Sequence, residues 1–286
     1  MSKGTLIGID LGGTNVRVAT ILENEIDTMI SEPVSGKENP ESIIEQIKGM
    51  ISNLWNPNIE AIGIGVPSVV DVEKGIVYDV QNIPSWKEVP LKDILENEFN
   101  RPVFINNDAN CFALGEKHFG AAMNYKSVVG LILGTGFGSG LILNNALYSG
   151  NNCGAGEVGM LPYKDSIFEH YCSGQFFEIY KNNTGQEFFN EAQKGNEEAL
   201  EAYIEFGTHL GNALKVIVYA YDPEIIVLGG SVSKAYSFFQ KSMFKTLEDF
   251  AYPNSIKNLK IKTTERESVA VLGAAALVLD HKFLNN

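Results

Sequence analysis

The sequence predicts an α/β protein built from two related halves. Strand-like and helix-like segments alternate along the chain. A strand, glycine turn, strand unit opens the sequence and recurs near its middle. With 286 residues, 44% of them hydrophobic and 20% charged, the chain can bury a sizeable core without disulfides or metals.

The opening TLIGID is apolar and β-branched, and LGGTN and VRVATIL follow it, so the start reads as strand, tight turn, strand. A third strand is predicted around residues 25–31. Over residues 40–54, Ile43, Ile44, Ile47, Met50, Ile51 and Leu54 share one helical face, so this helix packs on the sheet. The strand IEAIGIGV, a Pro-containing loop, the helix-like PLKDILENEF, the short strand PVFIN and a helix over 109–119 come next.

In the second half, SVVGLILGTGFGSGLILNNALYSG reads as strand, glycine-rich turn, strand and a further turn at Asn144 and Asn145. A long helix over 196–219 is predicted from the spacing of Ala199, Leu200, Tyr203, Phe206, Leu210, Leu214 and Ile217, with Asn196 as its cap. Gly207 and Gly211 inside it signal either close backbone approach or chance. Asp222 and Pro223 break the helix, IIVLGG gives strand and turn, and ESVAVLGAAALVLD closes the chain as a small-residue helix. Element order alone relates the two halves.

Twenty-two basic against 35 acidic residues give a formal charge of −13, which disfavours nucleic acid without a basic patch, and no basic run is present. No apolar stretch approaches the roughly 18–20 residues of a membrane span, and the start lacks the segments of a signal peptide. A cytoplasmic protein is expected. Cys111, Cys153 and Cys172 are odd in number and lack C-x-x-C spacing, so neither a disulfide framework nor a zinc ribbon is indicated.

Asp10 ends the first strand, and Gly12, Gly13, Thr14 and Asn15 form the turn after it. Glycines permit positive φ and close approach of backbone N–H groups to phosphate, and Thr14 or Asn15 adds a donor. An ordinary hairpin turn fits Gly-Gly equally well; Asp10 favours phosphate, because a carboxylate there holds Mg²⁺ through water. The cluster 134–140 is not a dinucleotide fingerprint: Ser139 stands where G-x-G-x-x-G needs its third glycine, and a strand follows in place of a helix. No G-x-x-x-x-G-K-[ST] string is present. A third turn, Gly229 and Gly230, precedes a helix.

The strings DLGGTN, NNDANCFALGE, GTGFGSGLI, GAGEVG and VLGGS, in this order from about residue 5 to 275, resemble the ROK (repressor, open reading frame, kinase) family of the sugar kinase, actin and heat-shock chaperone superfamily. The likeness is to glucokinase-like members without the zinc motif. It implies two ribonuclease-H-like domains around a nucleotide cleft, with 1–115 plus 271–286 as the smaller and 116–270 as the larger. It also implies ATP and Mg²⁺, with Gly12, Gly13 and Thr14 on the phosphates, Thr135, Gly136 and Gly138 on the terminal ones, Gly229 and Gly230 at the adenosine, and Asp10 organising Mg²⁺.

Asp108 follows PVFIN where a helix begins, and by sequence alone a helix N-cap is the commoner reading. The resemblance makes it the general base of a hexose kinase and sets Asn107 against the sugar. Phosphoryl transfer suits such a carboxylate, because its loose transition state leaves the protein mainly positioning and charge neutralisation to supply. Asn82 in NIPSW, Glu157 in GAGEVG and Glu178 in CSGQFFE resemble the family's sugar-binding residues, though each also fits an ordinary loop or helix position.

The sequence departs from the family at the zinc site. Met160 stands at the His position, and only Cys172 remains of the cysteine run; with His170 that makes two ligands, short of the four of a closed zinc site. No zinc is expected. Glucose or a close aldohexose is the expected substrate, ahead of N-acetylmannosamine, allose and fructose, and family likeness implies a homodimer. Two rivals are weaker: a sugar-responsive repressor, which needs a DNA-binding domain before the first glycine turn, and an actin-like or chaperone ATPase, which explains neither NNDAN nor GEVG.

Overall fold

The computed structural model describes residues 4–80 and 83–284. Its elements run β1 Thr5–Leu11, β2 Asn15–Leu22, β3 Glu25–Pro33, α1 Pro40–Leu54, β4 Ile59–Val66, β5 Val69–Asp71, β6 Ile76–Tyr78, β7 Glu88–Val89, α2 Leu91–Phe99, β8 Val103–Asn107 and α3 Asp108–Phe119. Then follow β9 Val128–Leu133, β10 Phe137–Leu143, β11 Ala146–Leu147, β12 Pro162–Tyr163, β13 Ser166–Ile167, α4 Phe168–Cys172, α5 Gln175–Lys181, α6 Gly185–Gln193 and α7 Glu197–Tyr221. The chain closes with β14 Ile225–Gly229, α8 Tyr236–Leu247, α9 Pro253–Asn258, β15 Lys260–Thr263 and α10 Val269–Leu284.

Two five-stranded sheets have one strand order. The first is β3-β2-β1-β4-β8 and the second β11-β10-β9-β14-β15. In the first, β1 pairs antiparallel with β2 and parallel with β4, and β4 pairs parallel with β8. In the second, β14 runs parallel to β9 and to β15. The kinship read from element order is thus a repeated topology. Contacts divide the chain into two compact units, one holding the chain to Asn124, Gly140–Ala155 and the chain from Glu265, the other Tyr125–Ser139 and Gly156–Thr264.

In the first unit α1 forms as its stripe dictates: Ile43, Ile44, Ile47, Met50 and Ile51 are buried against the sheet core of Ile7, Ile9, Ile62 and Ile64. Asn39 caps it by accepting the Glu41 N–H at 3.1 Å, and Pro40 sits in its first turn. The small sheet β5-β6-β7 between β4 and α2 was not expected from sequence. In the second unit the core is aromatic, with Phe176, Phe177, Phe206 and Phe239 fully buried.

Asn196 caps α7 through Ala199 N–H at 3.0 Å. The glycines of α7 serve packing: a Cβ at Gly207 would lie 2.3 Å from the Phe239 carbonyl, and one at Gly211 would lie 2.9 Å from the Met243 carbonyl, both in α8. Asn144 and Asn145 turn β10 into β11 with φ of 54° and 69°, the paired left-handed conformation that a tight hairpin requires. No helix among the described residues is long and apolar enough to cross a membrane.

Candidate active site

In the first unit, register builds the site. Asp10 on β1 pairs with Gly65 on β4, and Gly65 pairs with Asn106 on β8. Neighbouring strands lie about 4.8 Å apart, so Asp10 and Asn106 stand roughly 10 Å apart on one face, with only a glycine between. β8 ends at Asn107 and α3 starts at Asp108. A Cβ at Gly65 would fall 3.1 Å from Cys111 Sγ and 3.5 Å from Asp108 Cα. Burial pushes the Cys111 thiol well up, and the charges of Asp108 and Asp10 push it further; both carboxylates therefore act on one spot.

The helix cap is Asn107, not Asp108. Asn107 Oδ1 accepts Ala109 N–H at 2.9 Å and Asn110 N–H at 3.4 Å, while its Nδ2 donates to the Ser68 carbonyl at 3.3 Å. Asp108 is half-buried, and its Oδ1 also accepts the Ala109 N–H, at 2.8 Å. The ordinary capping duty thus falls on the neighbour. Behind the pair, Asn106 accepts from Asn107 N–H and Asn110 Nδ2, each at 2.8 Å, and donates to Ser149 Oγ at 3.2 Å. Nothing in the sequence singled out Asn106, whose partners Ser149 and Cys153 lie far along the chain.

Asp10 pairs with Arg17, also missed in the sequence, at 3.1 Å across the β1–β2 ladder. Its carboxyl is raised above the ordinary value, because burial outweighs the opposing Arg17 charge. In the turn between these strands, Gly12 N–H donates to the Asn15 carbonyl at 2.9 Å, and Val34 N–H to the Thr14 carbonyl at 2.8 Å. Gly12 and Gly13 do not take the positive φ expected of them. What glycine supplies there is room: a Cβ at Gly12 would press on the Asn15 carbonyl at 3.2 Å. Thr14 is exposed.

In the second unit, the 134–138 turn is closed by Gly134 N–H donating to the Gly136 carbonyl at 3.0 Å. Glu169 on α4 reaches into it: Oε2 accepts Phe137 N–H at 3.0 Å, and Oε1 accepts Gln175 Nε2 at 3.2 Å. The Phe137 N–H of this turn is thus already taken by a carboxylate. Thr135 is exposed, and Gly136 and Gly138 are half-buried. Glu157 is exposed at the start of the 3₁₀ turn Val158–Met160, its carboxyl pushed up by surrounding protein and then by the charge of Glu169. Glu169 was not read from the sequence; Glu178, which was, is exposed on α5.

At the third turn Gly230 has φ 84°, and a Cβ there would lie 2.4 Å from the Leu133 carbonyl, so only glycine fits. Gly229 is buried at the end of β14. Asn82 lies outside the described residues.

Where the family's zinc residues would fall, the β12–β13 hairpin is pinned by aromatic packing. Tyr163 stacks on Phe168 at 4.3 Å, and its hydroxyl meets His209 Nδ1 at 3.0 Å and Asn212 Nδ2 at 3.1 Å. Cys172 is buried, and His170 Nδ1 lies 2.6 Å from Ser166 Oγ.

Burial holds the His209 imidazole below its ordinary value of 6.5, and Lys164 adds to the effect against Glu205. The unfolded chain therefore binds this proton first as pH falls. The stability that neutral His209 contributes is present above pH 6.5 and is lost on acidification below it. Melting temperatures at pH 7.5, 6.5 and 5.5 should show a decline that is shallower in His209→Gln; equal slopes would refute the assignment.

The profile of the ROK family matches residues 6–281. The chain is 28% identical to a glucokinase of Thermotoga maritima over 97% of this chain and 98% of that protein. It is 32% identical to an N-acetyl-D-glucosamine kinase of Pasteurella multocida over 95% of this chain and 98% of that protein. A Streptomyces griseus ROK glucokinase solved with glucose and AMPPNP superposes with a TM-score of 0.81 at 25% identity, covering 96% of this chain and 99% of that one.

Proposed function

Since the chain belongs to the ROK family, we propose that it is an ATP-dependent sugar kinase in which Asp108 accepts the proton of a hexose hydroxyl as that oxygen attacks the terminal phosphorus of ATP. The observation that carries this reading is the row Asp10, Gly65, Asn106, which sets the 12–15 turn and Asp108 at one end of one sheet with no side chain from β4 intervening.

The roles follow from chemistry. In the first unit the backbone and the Thr14 hydroxyl of the 12–15 turn are suited to phosphate oxygens, in the second unit the 134–138 turn is proposed for the same duty, and the transferred group needs positioning more than covalent help. Asp10 is a hard oxygen donor at the end of β1 that would hold Mg²⁺ through water, and its pairing with Arg17 favours the ionised carboxylate that such a role needs. Bound Mg²⁺ supplies charge neutralisation on the phosphates. Asp108, next to a helix cap that is already made, is left to accept the proton. Glu157 and Glu169, two carboxylates whose charges act on each other, suit a polyol whose hydroxyls each donate and accept.

Glucose or a related aldohexose is the proposed substrate. Met160, 55% exposed at the family's His position, presents a thioether that donates no hydrogen bond, so it cannot read a sugar hydroxyl by donating to it. Likeness to kinases of glucose and of N-acetyl-D-glucosamine keeps acetylated sugars on the test panel. ADP release measured across hexoses and N-acetylated hexosamines should be sugar-dependent, with highest kcat/KM for glucose or a close aldohexose. Release at one rate with and without every sugar would overturn the kinase reading.

A further inference from the structure

We propose that Lys37 is a phosphate-binding residue of this chain, its ammonium meeting the nucleotide phosphates at the 12–14 turn; this rests on the kinase reading above. Lys37 belongs to none of the glycine motifs. It lies in the loop between β3 and α1, yet its Nζ donates to the Gly13 carbonyl at 2.5 Å.

The loop is built to deliver it. On one side Val34 N–H holds the Thr14 carbonyl at 2.8 Å, and Ser35 bonds Gln46 Oε1 through N–H and hydroxyl, each at 3.2 Å. On the other, Asn39 N–H closes onto the Gly36 carbonyl at 2.9 Å, and buried Trp86 donates Nε1 to the Pro40 carbonyl at 3.3 Å. Gly36 has φ 65°, and a Cβ there would strike Ser42 Cβ at 2.5 Å, so the tight bend before Lys37 requires glycine. The backbone on both sides is thus fixed, and the half-buried lysine spans from it to the turn.

Charge supplies the second argument. The chain carries 35 acidic residues against 22 basic ones, and Glu32, Glu38 and Glu41 are near in sequence. Among the described residues, however, no carboxylate lies within ion-pair distance of Lys37. The other cation at this turn, Arg17, is paired with Asp10. An ammonium has three donors, and Lys37 uses one, on a neutral carbonyl. A cation held without an anion beside a cluster of backbone N–H groups is matched by phosphate oxygens, which take charge-assisted hydrogen bonds from lysine.

The test compares binding of AMPPNP with Mg²⁺ and of adenosine, by calorimetry, in the wild type, Lys37→Met and Lys37→Arg. Loss of one charge-assisted contact should weaken AMPPNP roughly ten- to hundredfold in Lys37→Met. Adenosine, which has no phosphate, should bind that variant within about twofold of the wild type, and Lys37→Arg should keep most of the AMPPNP affinity. Unchanged AMPPNP affinity in Lys37→Met overturns the proposal while leaving the kinase reading intact. Parallel loss of AMPPNP and adenosine overturns it too, since that marks a misfolded loop. A wild type that binds neither ligand sinks the kinase reading, and this inference with it.

Discussion

Asp108→Asn is expected to lower kcat for sugar phosphorylation by about 10²- to 10⁴-fold, the usual worth of a positioned general base. The substitution keeps the shape and one oxygen of the side chain. That oxygen can still accept the Ala109 N–H that Asp108 Oδ1 takes at 2.8 Å, and the cap of α3 is made by Asn107 regardless. Folding should therefore be spared, with a melting temperature within about 2 °C of the wild type. AMPPNP should bind as before, because Asp108 belongs to neither the 12–15 nor the 134–138 turn. The sugar KM should move little, since an amide oxygen still accepts a hydrogen bond, so the loss falls on kcat. Retention of more than about a tenth of wild-type kcat would remove Asp108 from the chemistry, given the magnitude just stated.

Local pattern made much of the fold legible, and the site was legible only where it is local. The stripe of α1, the Asn-Asn turn after β10, the cap at Asn196 and the strand end before Asp108 depend on residues a few positions apart, and each stands where the periodicity or turn chemistry set it. Arg17 was hidden because its partner is reached across a ladder, Asn106 because its partners come from the 149–153 loop, and Glu169 because it bonds a turn 32 residues earlier. Short strands defeat periodicity for the same reason: β5, β6 and β7 span two or three residues each and exist only through pairing. Which of two adjacent polar side chains caps α3 could not be read from one residue either: the cap is Asn107, because its Oδ1 reaches the Ala109 and Asn110 N–H groups.

The glycines at which α10 meets its neighbours lead to the largest expected effect on stability. α10 lies against β1, β4 and α3 at backbone distance: a Cβ at Gly8 would sit 2.2 Å from the Val271 carbonyl, and one at Gly63 would sit 1.8 Å from the Ala274 carbonyl. At Gly273 the added atom would fall 1.7 Å from the Cys111 carbonyl oxygen and 2.7 Å from Gly115 N. None of these obstacles is a flexible side-chain tip, so relief requires a helix to move. Overpacking usually costs about 1–3 kcal/mol and occasionally more. With backbone on both sides, Gly273→Val should reach about 3 kcal/mol or beyond, roughly 6–12 °C in melting temperature. The helix that must yield is α3, which begins at Asp108, so residual folded protein should also lose kcat more than nucleotide affinity. Gly49→Ala supplies the opposite sign: this glycine is exposed in α1 with nothing within 4 Å of an added Cβ, and the better helix former should add about 0.5–1 kcal/mol. A Gly273→Val protein that melts with the wild type would mean that α10 does not lie on α3 at this distance, and the support assigned to Asp108 would go with it.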